Sequence, residues 1–291
     1  MTALPPHRMT TAPAMPHPAA RGATRQPRPP AWDCHVHVFD TSAAVLPGHY
    51  QPPHHPLAQI EAHAGAAGVG HLVLVQPSVY GTDNHLLLQA LQAGAGRHRG
   101  VAVVAPEVPD ATLAQLHAAG VRGVRFNLVS PVGAPRDPAA QLRQLAPRLR
   151  ALGWHVQWYV RPADLPALLA LQAQTGLVFV LDHLAGINAN TPPDDPAWHT
   201  LAALADTGAW VKLSGWYRLQ AEAPFTAIHP TLQRVARCFA QHTVWGSDWP
   251  HTSLANTTSL PYAATWQPVH DGLGAATANA VRLDHPRRLY A

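Results

Sequence analysis

The chain has 291 residues and a formal net charge of +4, from 20 Lys and Arg against 16 Asp and Glu. Arg8, Arg21, Arg25 and Arg28 fall in the first 30 residues, which hold no acid, so the remainder is neutral and lacks the basic face that nucleic-acid binding requires. No apolar run reaches the ~18 residues of a membrane span. Residues 1–30 are rich in Pro and Arg, with no continuous apolar stretch and no twin-arginine pair. This composition argues against a secretory signal and predicts a disordered tail on a cytoplasmic protein. Cys34 and Cys238 have neither disulfide nor metal spacing and read as small buried hydrophobes.

From residue 31 the chain alternates short β-branched or apolar runs with Ala/Leu/Gln-rich stretches of helical spacing. The first run, "AWDCHVHV" at 31–38, puts His35 and His37 on one face of a strand and Cys34, Val36 and Val38 on the other, because alternate side chains share a face. A long irregular stretch, 39–56, follows. Next come "HLVLVQPS" at 71–78, a helical "DNHLLLQALQAG", "GVAVVAP" at 100–106 and "VRGVRFN" at 121–127. A helix opened by Asp137 leads to "HVQWYV" at 155–160, and one opened by Asp164 and closed by Gly176 leads to "LVFVLDH" at 177–183. A second irregular stretch, 184–196, precedes "WVKLSG" at 210–215 and "TVWGSDW" at 243–249. Eight strand and helix units in about 260 residues predict a (β/α)8 TIM barrel over 31–291, an α/β fold. An open doubly wound sheet has the same alternation, but no glycine-rich phosphate loop follows the first run.

Chemistry in such a barrel sits at the C-terminal ends of the strands. Collected there are His35 and His37, Gln76 and Ser78, Arg125 and Asn127, Gln157 and Tyr159, Asp182 and His183, Ser214 with Arg218 beyond it, and Asp248 with His251. An apolar barrel interior gives no structural reason for so many ionisable groups at one rim. Any lone histidine among the 20 is best read as incidental, and His71, His98 and His155 lie at strand starts, away from that rim. Arg125 and Arg218 also fit structural ion pairs. The coincidence of three rim histidines with one aspartate points to a site.

The His-x-His of the first strand, His183 on the sixth and Asp248 on the eighth resemble the metal-ligand or catalytic set of the amidohydrolase superfamily. The phrases "DCHVHVFD", "GVRFN", "LDHLAG", "VKLSGWYRL", "VWGSDWPH" and "HPRRLY" resemble its lactonase branch, amidohydrolase-related family 2, which includes 2-pyrone-4,6-dicarboxylate lactonase, sugar lactonases and sulfomuconolactone hydrolases. The resemblance spans residues 31–291. It implies an amidohydrolase-like barrel and a hydrolase of small anionic lactones. It also implies catalytic roles for Asp248, His35, His37 and His183, and substrate contacts at Ser78, Arg125, Tyr159, Arg218 and His251. One position departs from the branch: a second arginine expected shortly after "GVRFN" is replaced by Pro131, with Arg136 the next arginine, which argues against a strict dicarboxylate substrate.

Opening a lactone needs an activated water, charge stabilisation and a proton for the leaving oxygen. Asp248 suits the base that later returns the proton. The three histidines would polarise the carbonyl as hydrogen-bond donors or through a metal, Arg125 and Arg218 would bind an anionic group, and Trp216 and Trp249 would wall a flat ring. Two readings compete: a metal-dependent decarboxylase of aromatic acids from the same superfamily, and a non-catalytic binding barrel. A two-metal centre bridged by a carboxylated lysine is not expected, because the single lysine, Lys212, lies on the seventh strand and no histidine ends the fifth. The resemblance implies that no cofactor is required. A single Zn or Mn ion on His35, His37, His183 and Asp248 is the alternative.

Overall fold

The structure is a computed structural model and describes residues 1–2, 30–48, 50–130, 134–252 and 260–291. The expected tail and the Pro131 departure therefore lie outside the described residues, the tail's ends apart.

Eight parallel strands follow one another around the sheet in chain order, giving the expected (β/α)8 barrel. They are β1 (Ala31–Val36), β2 (Val69–Val75), β3 (Arg99–Ala102), β4 (Val121–Asn127), β5 (His155–Tyr159), β6 (Phe179–Leu181), β7 (Trp210–Leu213) and β8 (Thr243–Trp245). The helices between and after them are α1 (Leu57–Ala66), α2 (His85–Ala93), α3 (Asp110–Ala118), α4 (Pro138–Ala151), α5 (Leu165–Thr175), α6 (Ala197–Asp206), α7 (His229–Phe239), α8 (Gln267–Leu283) and α9 (His285–Tyr290). Asp137 caps α4 by accepting from the Ala140 N–H at 2.8 Å. Asp164 does not cap α5 and instead accepts from the Arg161 N–H of the preceding turn. Gly176 closes α5 at φ 62°, where a side chain would be strained.

Several strands end two to four residues earlier than their apolar runs. The last residues of these runs, such as Pro77, Asp182 and Asp248, already belong to the turns that carry the rim. Strand periodicity divides the core into two layers. Val73, Val75, Val101, Val180 and Val244 fill the barrel interior with Trp32, Cys34 and Trp210. Leu74, Phe126, Trp158 and Leu181 belong to the outer core under the helices. Cys34 departs from the expected alternation. The pairing of β1 with β2 slips by one residue between Asp33 and Val36, and this bulge lets Cys34 and His35 both face inward while Val36 and Val38 face the helices. Cys238 is only half buried.

The β1 to β8 seam is closed just beyond β8. His35 C=O accepts from the Asp248 N–H and Trp249 C=O from the His37 N–H, each at 2.9 Å. Asp33 secures the same seam from behind, with Oδ1 accepting from the Ser247 N–H at 2.9 Å and Oδ2 from the Tyr262 hydroxyl at 2.8 Å. Two glycines permit the close approach. A Cβ on Gly246 would lie 2.5 Å from His35 Cβ, and one on Gly215, at φ 66°, would lie 2.5 Å from His183 Nδ1. At the opposite end α9 turns Tyr290 into the barrel, where its fully buried ring stacks near Trp32 and meets His155 edge-on. Among the described residues no helix is long and apolar enough to cross a membrane.

Tyr290→Ala should open this floor and cost about 3–5 kcal/mol of unfolding free energy, whereas Tyr290→Phe, removing a hydroxyl that has no hydrogen-bond partner, should change it by less than about 1 kcal/mol; denaturant titration measures both. Gly215→Ala forces a side chain against the His183 ring at positive φ, at a cost of about 1–3 kcal/mol. The variant should keep a barrel-like far-ultraviolet spectrum while losing most activity, and an active Gly215→Ala protein would show that His183 need not sit where it does.

Candidate active site

The rim opens into a cavity of about 450 Å³, lined among others by His37, Phe39, Tyr50, Ser78, Arg125, Tyr159, Arg218 and Asp248. Its size lies within the range of small-molecule sites. The irregular stretch after β1 contributes Phe39, Gly48 and Tyr50, whereas no residue of 184–196 lines it. His35 and His183 lie beneath the cavity, fully buried.

Asp248 is the meeting point. Its Oδ2 accepts from Arg218 Nε at 2.6 Å and from the Tyr217 hydroxyl at 2.5 Å. Its Oδ1 has no hydrogen-bond donor, yet His35 Nε2 and His37 Nε2 stand 3.6 Å from it and His183 Nε2 3.8 Å. Burial alone would raise the Asp248 carboxyl. The Arg218 guanidinium, with His183 and His37 beside it, holds it well below the ordinary carboxylate range. Asp248 is therefore ionised at neutral pH.

The imidazoles are oriented from below. His37 Nδ1 lies 2.8 Å from the Val75 carbonyl, which can only accept, so Nδ1 carries a proton and Nε2 is turned toward Asp248. His35 Nδ1 has two neighbours, Asp182 Oδ1 at 3.2 Å and the Lys212 ammonium at 3.5 Å. A proton on Nδ1 directed at the nearer carboxylate oxygen would leave His35 Nε2 as an acceptor. His183 Nδ1 shares a hydrogen bond with Ser214 Oγ at 2.8 Å. Burial lowers the basicity of His35 far below normal and that of His183 to about 4, so both rings are neutral at pH 7.

Beneath the histidines lies a closed polar layer built from Arg125, Gln157 and Asp182 of the expected rim together with Lys212. Asp182 Oδ2 accepts from Arg125 Nε at 3.1 Å and from Gln157 Nε2 at 3.0 Å, and Lys212 Nζ donates to Gln157 Oε1 at 2.6 Å while standing 3.6 Å from Asp182 Oδ1. Burial would raise Asp182, but His35, Lys212 and Arg125 around it hold it well below its usual range. Burial lowers Lys212 to about 8, against the pull of Asp182. Among the described residues Arg125, Lys212 and Arg218 face Asp182 and Asp248, three cations against two anions.

Ser78, Arg125, Tyr159 and Arg218 all reach the cavity wall. Asn127 Nδ2 donates to Ser78 Oγ at 2.7 Å, and the two guanidinium carbons lie 5.6 Å and 5.8 Å from the Tyr159 ring centre. His251 does not reach the cavity. It is buried edge-on against Tyr217, and burial lowers its imidazole to about 4. Trp216 and Trp249 do not wall it either. Trp216 Nε1 donates to the Thr265 carbonyl inside the core, and Trp249 packs on His55 and His63, leaving Phe39, Tyr50 and Tyr159 as the aromatic lining. Tyr217 carries no sequence signal beyond its adjacency to Arg218 in "WYRL".

One ligand atom each from His35, His37 and Asp248 lies within 4.8 Å of the others, with His183 Nε2 3.8 Å from Asp248 Oδ1, and among the described residues neither Oδ1 nor His35 Nε2 has a hydrogen-bond partner. Two imidazoles with Nδ1–H groups anchored on a carboxylate and a carbonyl, plus an ionised carboxylate, are the donor set of a divalent cation. The residues fit such a group.

Sequence and structure comparisons agree with this architecture. The chain is 31% identical over 274 residues to a 2-pyrone-4,6-dicarboxylate hydrolase of Comamonas testosteroni, covering 89% of this chain and 90% of that one. It is 26% identical to a 4-sulfomuconolactone hydrolase of Hydrogenophaga intermedia, covering 80% and 78% of the two chains. The fold superimposes with a TM-score of 0.80 on a Pseudomonas putida protein assigned as a 2-pyrone-4,6-dicarboxylic acid hydrolase, at 33% identity over 90% of this chain and 97% of that one. The amidohydrolase family model matches residues 32–291, nearly the whole described barrel, and the chain belongs to that family of enzymes.

Proposed function

We propose that the enzyme hydrolyses a small anionic lactone of the pyrone carboxylate, muconolactone or sugar lactone kind. The observation that carries this reading is the unequal treatment of the two Asp248 oxygens. Arg218 and Tyr217 saturate Oδ2, and Oδ1 is left bare among three imidazoles at the floor of a cavity with positive charge to spare. Both curated relatives named above carry names of hydrolases of anionic lactones, which supports the same class.

In the reaction the substrate's anionic group lies against Arg125 and Arg218, and the flat ring packs beside Tyr159. A water hydrogen-bonded to Asp248 Oδ1 attacks the lactone carbonyl carbon and gives its proton to that oxygen. As the tetrahedral adduct collapses, the ring C–O bond breaks and Asp248 returns the proton to the departing alkoxide, so the product is a hydroxy acid. His35, His37, His183 and Asp248 would hold one divalent cation such as zinc or manganese, which supplies carbonyl polarisation and a more acidic water when bound. A neutral His37 ring, protonated at Nδ1 against the Val75 carbonyl, would have no proton to offer the substrate from Nε2, which supports this arrangement over direct donation.

A panel of pyrone carboxylates, muconolactones and sugar lactones, followed by acid release in weakly buffered indicator solution, tests the class. Carbon dioxide release from aromatic acids with no lactone opening would replace it by decarboxylation. Asp248→Asn should cut kcat by about 10²–10⁴-fold while product binding persists, and near-normal turnover would remove Asp248 from the mechanism. Metal analysis of the purified enzyme should find one equivalent of divalent metal, and chelation should abolish turnover until zinc or manganese is restored. Full activity in metal-free protein would return the carbonyl to the imidazoles alone.

A further inference from the structure

A second cavity, of about 230 Å³, adjoins the active-site cavity beyond the ends of β3 and β4. The two share Ser78, Arg125 and Asn127, so the Asn127 to Ser78 hydrogen bond and the Arg125 side chain form the partition between them. Its walls are mostly apolar, with Val104, Pro106, Phe126 and Pro135 prominent, and its polar side chains besides the partition are the neutral Thr82 and Gln141. Arg125 is the one cation lining it among the described residues, and its Nε is already given to Asp182. By contrast the larger cavity holds both guanidinium groups.

We propose that this second cavity is a side lobe of the active site and that it receives an uncharged alkyl or aryl substituent of the substrate. The inference rests on the lactone hydrolase reading and narrows it to lactones with one anionic group and one neutral substituent. A carboxylate pushed into the lobe would lose its water against apolar walls without gaining a cation of its own. An apolar group gains by burial there.

Three lactones built on one ring test the inference: one with a single carboxylate, one with that carboxylate and a neutral alkyl or phenyl group, and one with two carboxylates. The native enzyme should give the highest kcat/KM on the neutral-substituted lactone, by roughly tenfold or more over the dicarboxylate. Ala105→Trp, which fills the lobe from its outer wall, should reduce kcat/KM for the substituted lactone roughly tenfold more than for the unsubstituted one. Gln141→Arg, a change on the half-exposed second turn of α4, should shift preference toward the dicarboxylate by a similar factor. Turnover that favours the dicarboxylate in the native enzyme, or that both variants alter equally for all three lactones, overturns the lobe while leaving the hydrolase reading in place. No turnover of any of the three overturns that reading and the lobe with it.

Discussion

One buried carboxylate governs the geometry of the site. Asp182 lies in the barrel interior with no access to water, and it is stable as an anion only because Arg125, Lys212, Gln157 and His35 surround it. Burying one of these charges without the others would be strongly unfavourable, so the group is present as a set or not at all. Each partner is thereby fixed in a role above the layer. Arg125 spends Nε on Asp182 and lines the cavity, and His35 turns Nδ1 downward so that Nε2 points at Asp248. Lys212, the chain's single lysine, is consumed here as a counter-charge and is unavailable as a bridging ligand.

The same arrangement explains why Asp248 is divided into two different oxygens. Arg218 and Tyr217 approach from the turn after β7 and occupy Oδ2, which fixes the carboxylate plane. The seam between β1 and the turn after β8 brings Oδ1 over the histidines through two backbone hydrogen bonds. Positive φ at His183 (49°) and Asp248 (60°) marks where the chain leaves strand geometry to aim these side chains. Local strain and the reactive atoms coincide, as expected when packing over-determines a site.

Much of this was legible in the sequence. The eight apolar runs, the His-x-His pair and the polar residues at strand ends follow from a period of two and from the barrel's habit of keeping chemistry at one rim. What was not legible depends on rotations that occur after the pattern stops. Trp216, Trp249 and His251 lie just past strand ends, where tight turns rather than alternation set direction, and all three face the core or neighbouring side chains. Cys34 escaped the alternation because an extra residue in β1 opposes β2, and a bulge leaves no mark in a sequence of mixed small and polar residues. Tyr217 and the Asp182 layer are pairings between strands, and no single segment encodes them. Gly215 and Gly246 read as ordinary turn glycines until the rings of His183 and the backbone of His35 are found against them.

The seam carries a consequence for how the enzyme fails. Seven of the eight strand contacts are hydrogen-bonded ladders, while β1 meets the β8 side through two backbone hydrogen bonds and the Asp33 side chain. A joint with so few bonds is where thermal fluctuation parts a cylinder first. Because His35, His37 and Asp248 belong to the two lips of that joint, a slight parting scatters the reacting groups while the other seven ladders still hold. Inactivation and melting are then separate events, and the temperature at which the enzyme stops working is a property of its seam rather than of its core.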